Sequence, residues 1–229
     1  MKSDKLLFLL VAMNISLSSR AQPIQHINSY IENPSMFSEN QEKPRANFIP
    51  YQDHVSARSF SREKSERVNI LNGKWKFHWF SNSLLVPDDF HQPDFNDAQW
   101  YQITVPSNWQ MEGFGHLMYR NTSMELYPAN PPYVPDELNP TGCYRTSFEL
   151  NNKDINQQIY LHFEGVKSAA FVWVNGKYVG YGQGGMTPQE YDVTEHIQLG
   201  NNQLAVQVVR WSDGSYLENQ DTWGFSGIY

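Results

Sequence analysis

The chain has 229 residues and a formal net charge of −7. That length holds one large domain, or a domain with a tail. The acidic balance argues against nucleic acid or an anionic membrane surface as a partner. Cys143 is the single cysteine, so no intramolecular disulfide can form. Aromatic residues reach 14 %. Large rings fill sheet cores and also stack on sugars, and for any single ring the core role is the commoner one.

The first residues read as an export signal. Lys2 and Lys5 precede an apolar run from Leu6 to Leu17, broken only by Asn14 and Ser16. Ser19-Arg20-Ala21 then offers small residues for a signal peptidase, and Gln22-Pro23 would open the mature chain. Residues 1–21 are thus expected to be a signal peptide. The run is too short to cross a bilayer comfortably, so no membrane span is expected. A disulfide-free exported protein fits a bacterial periplasm, or secretion. Residues 22–66 are polar, without a sustained period, and read as an extended arm ordered only where it lies on something.

From Val68 the pattern changes, and residues 67–229 read as one domain. Trp75, Phe77 and Trp79 alternate with Lys74, Lys76 and His78, which predicts a half-buried strand after the Leu71-Asn72-Gly73 turn. Residues 84–140 are rich in proline (Pro87, Pro93, Pro106, Pro128, Pro131, Pro132, Pro135, Pro140) and read mostly as loop. So long a loop region in a compact domain is usually functional. Tyr144, Thr146, Phe148 and Leu150 alternate up to an Asn151-Asn152 turn, and Ile159 to Phe163 follows. Phe171–Val174 and Tyr178–Tyr181 flank Asn175-Gly176, a strong hairpin signal. A turn is expected at Gly200-Asn201-Asn202, then a strand in which Leu204, Val206 and Val208 share a face. No amphipathic helix of convincing length appears. The expected fold is all-β, a jelly-roll antiparallel β-sandwich with an N-terminal extended arm.

Few motifs point to chemistry by themselves. Gly180-Tyr181-Gly182-Gln183-Gly184-Gly185 matches a dinucleotide fingerprint, but it follows a hairpin and opens no helix, so the context that motif needs is missing. The histidines are scattered without metal-ligand spacing. No carboxylate pair stands out as an acid/base couple. Asn121 lies in Asn121-Thr122-Ser123, formally a glycosylation acceptor and more often a turn. Asp221 lies in a polar run ending at Trp223. That pattern is a surface loop on its face, and also what a sugar subsite needs: carboxylate and amide for hydroxyls, and a flat ring nearby.

Two segments resemble glycoside hydrolase family 2. Leu71-Asn72-Gly73-Lys74-Trp75-Lys76-Phe77 is similar to the opening strand of that family's sugar-binding domain, and Val105-Pro106-Ser107-Asn108-Trp109-Gln110 to a following loop. Three narrower segments resemble the family's large β-galactosidases, those like the bacterial lactose-operon enzyme. They are Glu32-Asn33-Pro34, the stretch from Asn130-Pro131-Pro132 through Asn139-Pro140-Thr141-Gly142-Cys143-Tyr144, and Arg210 through Trp223. The resemblance runs from about Glu32 to Tyr229.

The resemblance implies a share in an active site without its catalytic groups. In such enzymes two glutamates of a downstream (β/α)8 barrel act with net retention. The N-terminal sandwich sends loops over the barrel mouth. By this likeness Asn121 and Asp221 contact the galactosyl group, and Asp221 helps hold a sodium ion. The Asn121 match is weaker, because Ser123-Met124-Glu125-Leu126 departs from the family pattern. Magnesium in the full-length family would have ligands outside this chain. A barrel needs ~250 residues, so the chain is expected to stop before the immunoglobulin-like and catalytic domains, and to be inactive alone. The expected partners are a β-galactoside, the remaining domains, and further copies of the full-length chain. A stand-alone carbohydrate-binding module and a sister β-glucuronidase or β-mannosidase are the alternatives.

Overall fold

Period-two apolar patterning sets the strands, and their pairing sets the layers. The structure, a computed structural model, describes residues 27–119, 126, 128–135, 137–152, 154–218 and 223–229. The leader-like segment therefore lies outside the described residues. In chain order the strands are β1 (Ser38–Glu39), β2 (Gly73–Phe80), β3 (Tyr101–Val105), β4 (Ser107–Asn108), β5 (Thr141–Leu150), β6 (Tyr160–Phe163), β7 (Val166–Lys167), β8 (Ala169–Val174), β9 (Lys177–Gly182), β10 (Gln189–Asp192), β11 (Gly200–Val209) and β12 (Gly227–Ile228). Helices among the described residues are single turns, such as Asn28–Ile31 and His54–Ala57.

A seven-stranded sheet runs β1-β9-β8-β11-β5-β2-β3. Two small sheets, β10-β6 and β4-β12-β7, supply apolar residues to the layer that faces it. All pairings are antiparallel. The molecule is an all-β sandwich, as the alternation predicts.

The large sheet is buried on both faces. Ala170, Val172 and Val174 of β8, with Leu204, Val206 and Val208 of β11, pack with Leu161, Phe163, Tyr191 and Ile228 of the small sheets. The intervening Ala169, Phe171 and Trp173, with Ala205 and Val209, pack beneath Ile31, Phe90, Leu126, Val134 and Trp211. A strand covered on both faces reads as a continuous apolar run. That explains Ala169–Val174, in which every residue is buried.

The β8–β9 hairpin turns on Asn175 and Gly176, both at positive φ (52° and 77°), as a two-residue primed turn requires. The turn expected at Gly200-Asn201-Asn202 is corrected. Gly200 turns at φ +83°, but Asn201 and Asn202 already pair with Glu149 and Phe148 in β11. Asn202 is fully buried and is satisfied by Asn175 Nδ2 (2.8 Å), by the Gln198 N–H (2.8 Å) and by the Gln198 carbonyl (2.8 Å). Its polar side chain knots the turn from inside the strand.

The arm lies on the sandwich rather than wandering. β1 adds to the edge strand β9, and Gln41 bridges to Tyr191. This pairing covers backbone groups an edge would leave open. The Glu39 carboxylate accepts from Tyr30 Oη (2.9 Å) and Tyr178 Oη (2.8 Å). Further along, Arg45 pairs with Glu190 (2.7 Å) and Arg62 with Glu164.

The 84–140 region contains two strands that the loop reading passed over, β3 and β4, and is otherwise irregular. Arg145 of β5 pins its first part. The guanidinium Nε donates to Asp97 (2.8 Å), and Nη1 donates to the Phe90 carbonyl and to the Gln92 carbonyl (2.9 Å).

Candidate functional site

Two loops distant in sequence meet in an isolated antiparallel bridge between Tyr119 and Trp223. The Gly224 N–H donates to the Met118 carbonyl at 3.0 Å, extending the contact. Asn121 and Asp221 themselves lie outside the described residues. Tyr119 stands two positions before Asn121, and Trp223 two positions after Asp221.

The bridge is held from below by Arg210, which follows β11 and is only 4 % exposed. Its Nη2 donates to the Gly224 carbonyl (3.0 Å) and its Nη1 to the His116 carbonyl (3.2 Å). One buried cation thus ties both loops. The guanidinium also lies 4.7 Å above the Trp211 ring. Gln110 repeats the tie. Its Nε2 reaches the Gly224 carbonyl (3.4 Å), and its Oε1 accepts from the Ser226 N–H (3.0 Å). Buried side chains that satisfy loop carbonyls in this way make the junction rigid, because losing either partner strands a desolvated polar group.

From Trp211 to Glu218 the same segment is built as a shelf. Asn139 reads the Trp211 backbone twice, from Nδ2 to the carbonyl and through Oδ1 to the N–H, each at 2.9 Å. Ser212 Oγ meets Ser168 Oγ at 2.6 Å, and Ser215 Oγ accepts from the Ser212 N–H at 3.0 Å. Gln183 Nε2 donates to Asp213 Oδ1 (2.7 Å) and to Tyr181 Oη (2.7 Å). Burial raises the Asp213 carboxyl above its ordinary value, with the Gln183 amide opposing it in part. Burial raises Glu218 likewise, against the Gly185 N–H and Lys167. A Cβ on Gly214 would sit 2.7 Å from Gln183 Oε1 and 3.0 Å from Glu218 Oε1, so a side chain here would push these two ends aside. Most of the segment's polar residues therefore serve its shape.

The Pro-rich loop is fastened to the same shelf. Tyr216 Oη donates to the Tyr133 carbonyl (2.6 Å) and accepts from the Asn130 N–H (3.3 Å). Glu32 accepts from the Val134 N–H at 2.9 Å. The three narrow sequence segments, around Glu32, Asn130–Tyr144 and Arg210–Trp223, thus converge in space.

The bridge residues present their rings to solvent. Tyr119 is 52 % exposed and Trp223 55 %. Their centroids are 4.5 Å apart with planes at 34°, and Phe225 stacks beyond Trp223 at 6.0 Å and 12°.

The glycine motif has a packing explanation. A Cβ on Gly180 would meet the Glu39 carbonyl at 2.5 Å, and one on Gly182 the Tyr191 hydroxyl at 2.7 Å. These glycines admit the arm and β10 against β9. Among the described residues no three His, Cys, Asp or Glu side chains converge as a metal site.

Residues 68–229 match the family model described as glycosyl hydrolases family 2, sugar binding domain. The chain is 39 % identical to a β-galactosidase of Priestia megaterium over 88 % of its own length and 20 % of that protein's. It is 43 % identical to one of Vibrio vulnificus over 86 % and 19 %, and 46 % identical to one of Pectobacterium atrosepticum over 73 % and 16 %. The chain thus spans about a fifth of the length of these curated relatives. Among solved structures, a calcium-binding mutant of Bacteroides uniformis β-glucuronidase 2 matches with a TM-score of 0.52 at 23 % identity, over 70 % of this chain and 17 % of that one. That likeness supports the sandwich fold. The chain belongs to glycoside hydrolase family 2, whose sugar-binding domain occupies residues 68–229.

Proposed function

We propose that this chain is the galactose-recognising portion of a β-galactosidase, working beside a catalytic domain that supplies both catalytic glutamates. The observation that carries this reading is the Tyr119–Trp223 bridge. In the sequence Asn121 follows one bridge residue and Asp221 precedes the other, each by two positions. A sugar site needs such convergence: an amide and a carboxylate for hydroxyls, held by a scaffold that does not move. The β-galactosidase relatives, at 39–46 % identity, support galactose over glucuronate as the recognised sugar.

In this reading Asp221 accepts a hydrogen bond from a galactosyl hydroxyl and lends an oxygen to a sodium ion, a hard cation suited to carboxylate ligands. When bound, the ion fixes the orientation of the hydroxyl it touches. Asn121 offers an amide to a second hydroxyl. Arg210 and Gln110 hold the loop roots without touching sugar.

The test uses a full-length enzyme that carries this domain. A hydrogen bond to a charged group contributes roughly 1.5–3 kcal/mol, so Asp221→Asn should lower kcat/KM about tenfold to a hundredfold and raise the sodium requirement. Unchanged kinetics and sodium response in a folded variant would overturn the assignment. The 229-residue chain alone should not turn over a chromogenic galactoside. Export is proposed with it, with a mature chain starting near Gln22. Mass spectrometry of the protein from its native host checks that; a retained Met1 would count against it.

A further inference from the structure

We propose that the free edge of β6 is a strand slot, and that the segment following Tyr229 in the full-length enzyme fills it, antiparallel to β6. The proposal rests on the reading that further chain works beside this domain, and not on which sugar is bound.

The layer that faces the large sheet is in two pieces, β10-β6 and β4-β12-β7. A groove of about 1100 Å³ is lined by all four residues of β6, by Ile228 and Tyr229, and by residues 47–50 and 65–72. Leu71, Phe148 and Ile159 line it too, and are only partly buried although they pack against the core. Apolar surface left open beside a core marks a place where something docks.

The backbone of β6 is open on that side. The Glu190 carbonyl accepts from the Glu42 N–H (2.8 Å), so it turns away from β6. Neighbours along a strand alternate their hydrogen-bonding sides. Gln189 and Tyr191 therefore face β6, opposite Phe163 and Leu161. The Val193 N–H continues the row to the Ile159 carbonyl at 2.9 Å. By the same alternation Tyr160 and His162 turn their N–H and C=O groups to the other edge. Among the described residues no backbone group pairs with them there. An open edge is a template for one more strand.

The occupant follows from the course of β12. This strand runs antiparallel to β7, with Gly227 opposite Lys167 and Ile228 opposite Val166. The Tyr229 N–H then donates to the Gly165 carbonyl at 2.9 Å, one residue before β7. β6 ends at Phe163, two residues earlier in the chain. A strand that keeps the course of β12 next meets β6, on the edge that is open. Its composition follows as well. Leu161 and Phe163 are buried, while Tyr160 and His162 face out. A neighbour in the slot needs apolar residues inward and polar ones outward, in alternation. Filling the slot joins the two small sheets into one.

Hydrogen exchange reads the slot directly. The probe is a short peptide of alternating valine and threonine, ended by lysine for solubility. In the 229-residue chain the Tyr160 and His162 amides should exchange freely and slow about tenfold or more when the peptide is added. Leu161 and Phe163, already facing β10, should not change. A fully N-methylated peptide lacks the donors and should neither bind nor slow them. In a full-length enzyme the same two amides should be protected with no peptide present. His162→Pro removes an N–H on the open edge alone, which an edge strand tolerates, and should abolish peptide binding. A melting curve checks its folding, and the methylated peptide asks the same question with the protein unchanged. No binding by the parent chain, or binding that leaves Tyr160 and His162 unprotected, would overturn the slot. Equal binding of the methylated peptide would do so too, because apolar adhesion then explains it. Protection in the 229-residue chain alone, with a dimer in sedimentation, would give the edge to a second copy. Free exchange of both amides in the folded full-length enzyme would leave the slot without its proposed occupant. None of these outcomes touches the sugar assignment, which Asp221→Asn kinetics judge separately.

Discussion

Two regions without sequence periodicity are held to the same sandwich in opposite ways. Past β1 the arm, residues 40–66, is fastened from outside. Its two ion pairs involve exposed side chains: Arg45 at 44 % and Arg62 at 48 %. The 84–140 region is fastened from inside. Arg145 is 2 % exposed at the side chain, and Arg210 4 % as a residue, and both donate to loop carbonyls, Arg145 to the Asp97 carboxylate as well. A buried cation whose removal strands carbonyls is worth far more to a loop than an exposed pair, which water and salt largely replace. Surface irregularity in a sequence thus conceals two kinds of order. Of the inner clamps, Arg210 lies beneath the candidate site.

The sharpest way to break this contrast is Arg145→Met. It keeps the side-chain volume and abandons Asp97 and the carbonyls of Phe90 and Gln92. The expected cost is about 3 kcal/mol, or a fall of roughly 10 °C in Tm. A melting curve within about 2 °C of the parent's would show that the loop does not depend on this clamp.

Arg210→Met should cost somewhat less stability, about 2 kcal/mol, but carry a second signature. Both loop roots lose their common donor, so galactoside KM in a full-length enzyme should rise more than kcat falls. Arg210→Lys should restore stability in part and KM hardly at all, since an ammonium lacks the fork that reaches two carbonyls. Equal rescue of both would make Arg210 a stability residue only.

On the arm, Glu39→Gln tests the strongest contact. Glu39 gathers two tyrosine hydroxyls, and burial first, then that carboxylate, raises the Tyr178 phenol well above its ordinary range. Replacing the charge should cost about 1 kcal/mol. Amide exchange should quicken at Ser38 and Glu39, where β1 pairs with β9, and not at the buried β8. Uniform acceleration over both strands would mean that the arm and sheet open as one unit.

The uneven legibility of the sequence follows the same division. Strands β2, β5 and β11 are long enough for alternation to show, β8 shows as an apolar run, and Asn175-Gly176 between β8 and β9 names its own turn. β3 had a readable signal, with Ile103 and Val105 inward and Gln102 and Thr104 less buried, but the prolines around it suggested loop. β1, β7 and β12 are two residues each, and no period fits in two residues. Their pairing depends on partners far away in the chain. At the site, Asn121 and Asp221 came from family likeness alone. The meeting of Tyr119 with Trp223 had no local signal. Arg210 was visible as part of a motif, but a motif does not say which of its members is buried beneath the loops and which faces a ligand.

The smallest effect expected comes from the exposed clips, and it distinguishes the two fastenings most cleanly. Arg45→Ala with Arg62→Ala removes both ion pairs between the arm and the sheet strands' ends at Glu190 and Glu164. Exposed pairs contribute roughly 0.2–1 kcal/mol before screening, so global Tm should move by about 1–2 °C at low salt. In 1 M salt the Debye length shrinks to about 3 Å, and the difference between variant and parent should nearly vanish. Acid should do the same. Burial alone would raise the Glu164 carboxyl, but the Arg62 hydrogen bond and charge outweigh it and hold the carboxyl below its ordinary value. A group depressed in the folded state stabilises above its unfolded pKa and loses that contribution as pH falls through the folded one. The double variant should therefore approach the parent below the ordinary carboxylate range and differ most near neutrality. Arg145→Met should keep most of its deficit in high salt, because the Phe90 and Gln92 carbonyls carry no net charge to screen and only the Asp97 pair responds to salt. If the double variant's deficit persists undiminished in 1 M salt, the arm is held by packing rather than by charge, and the division drawn between the two regions fails.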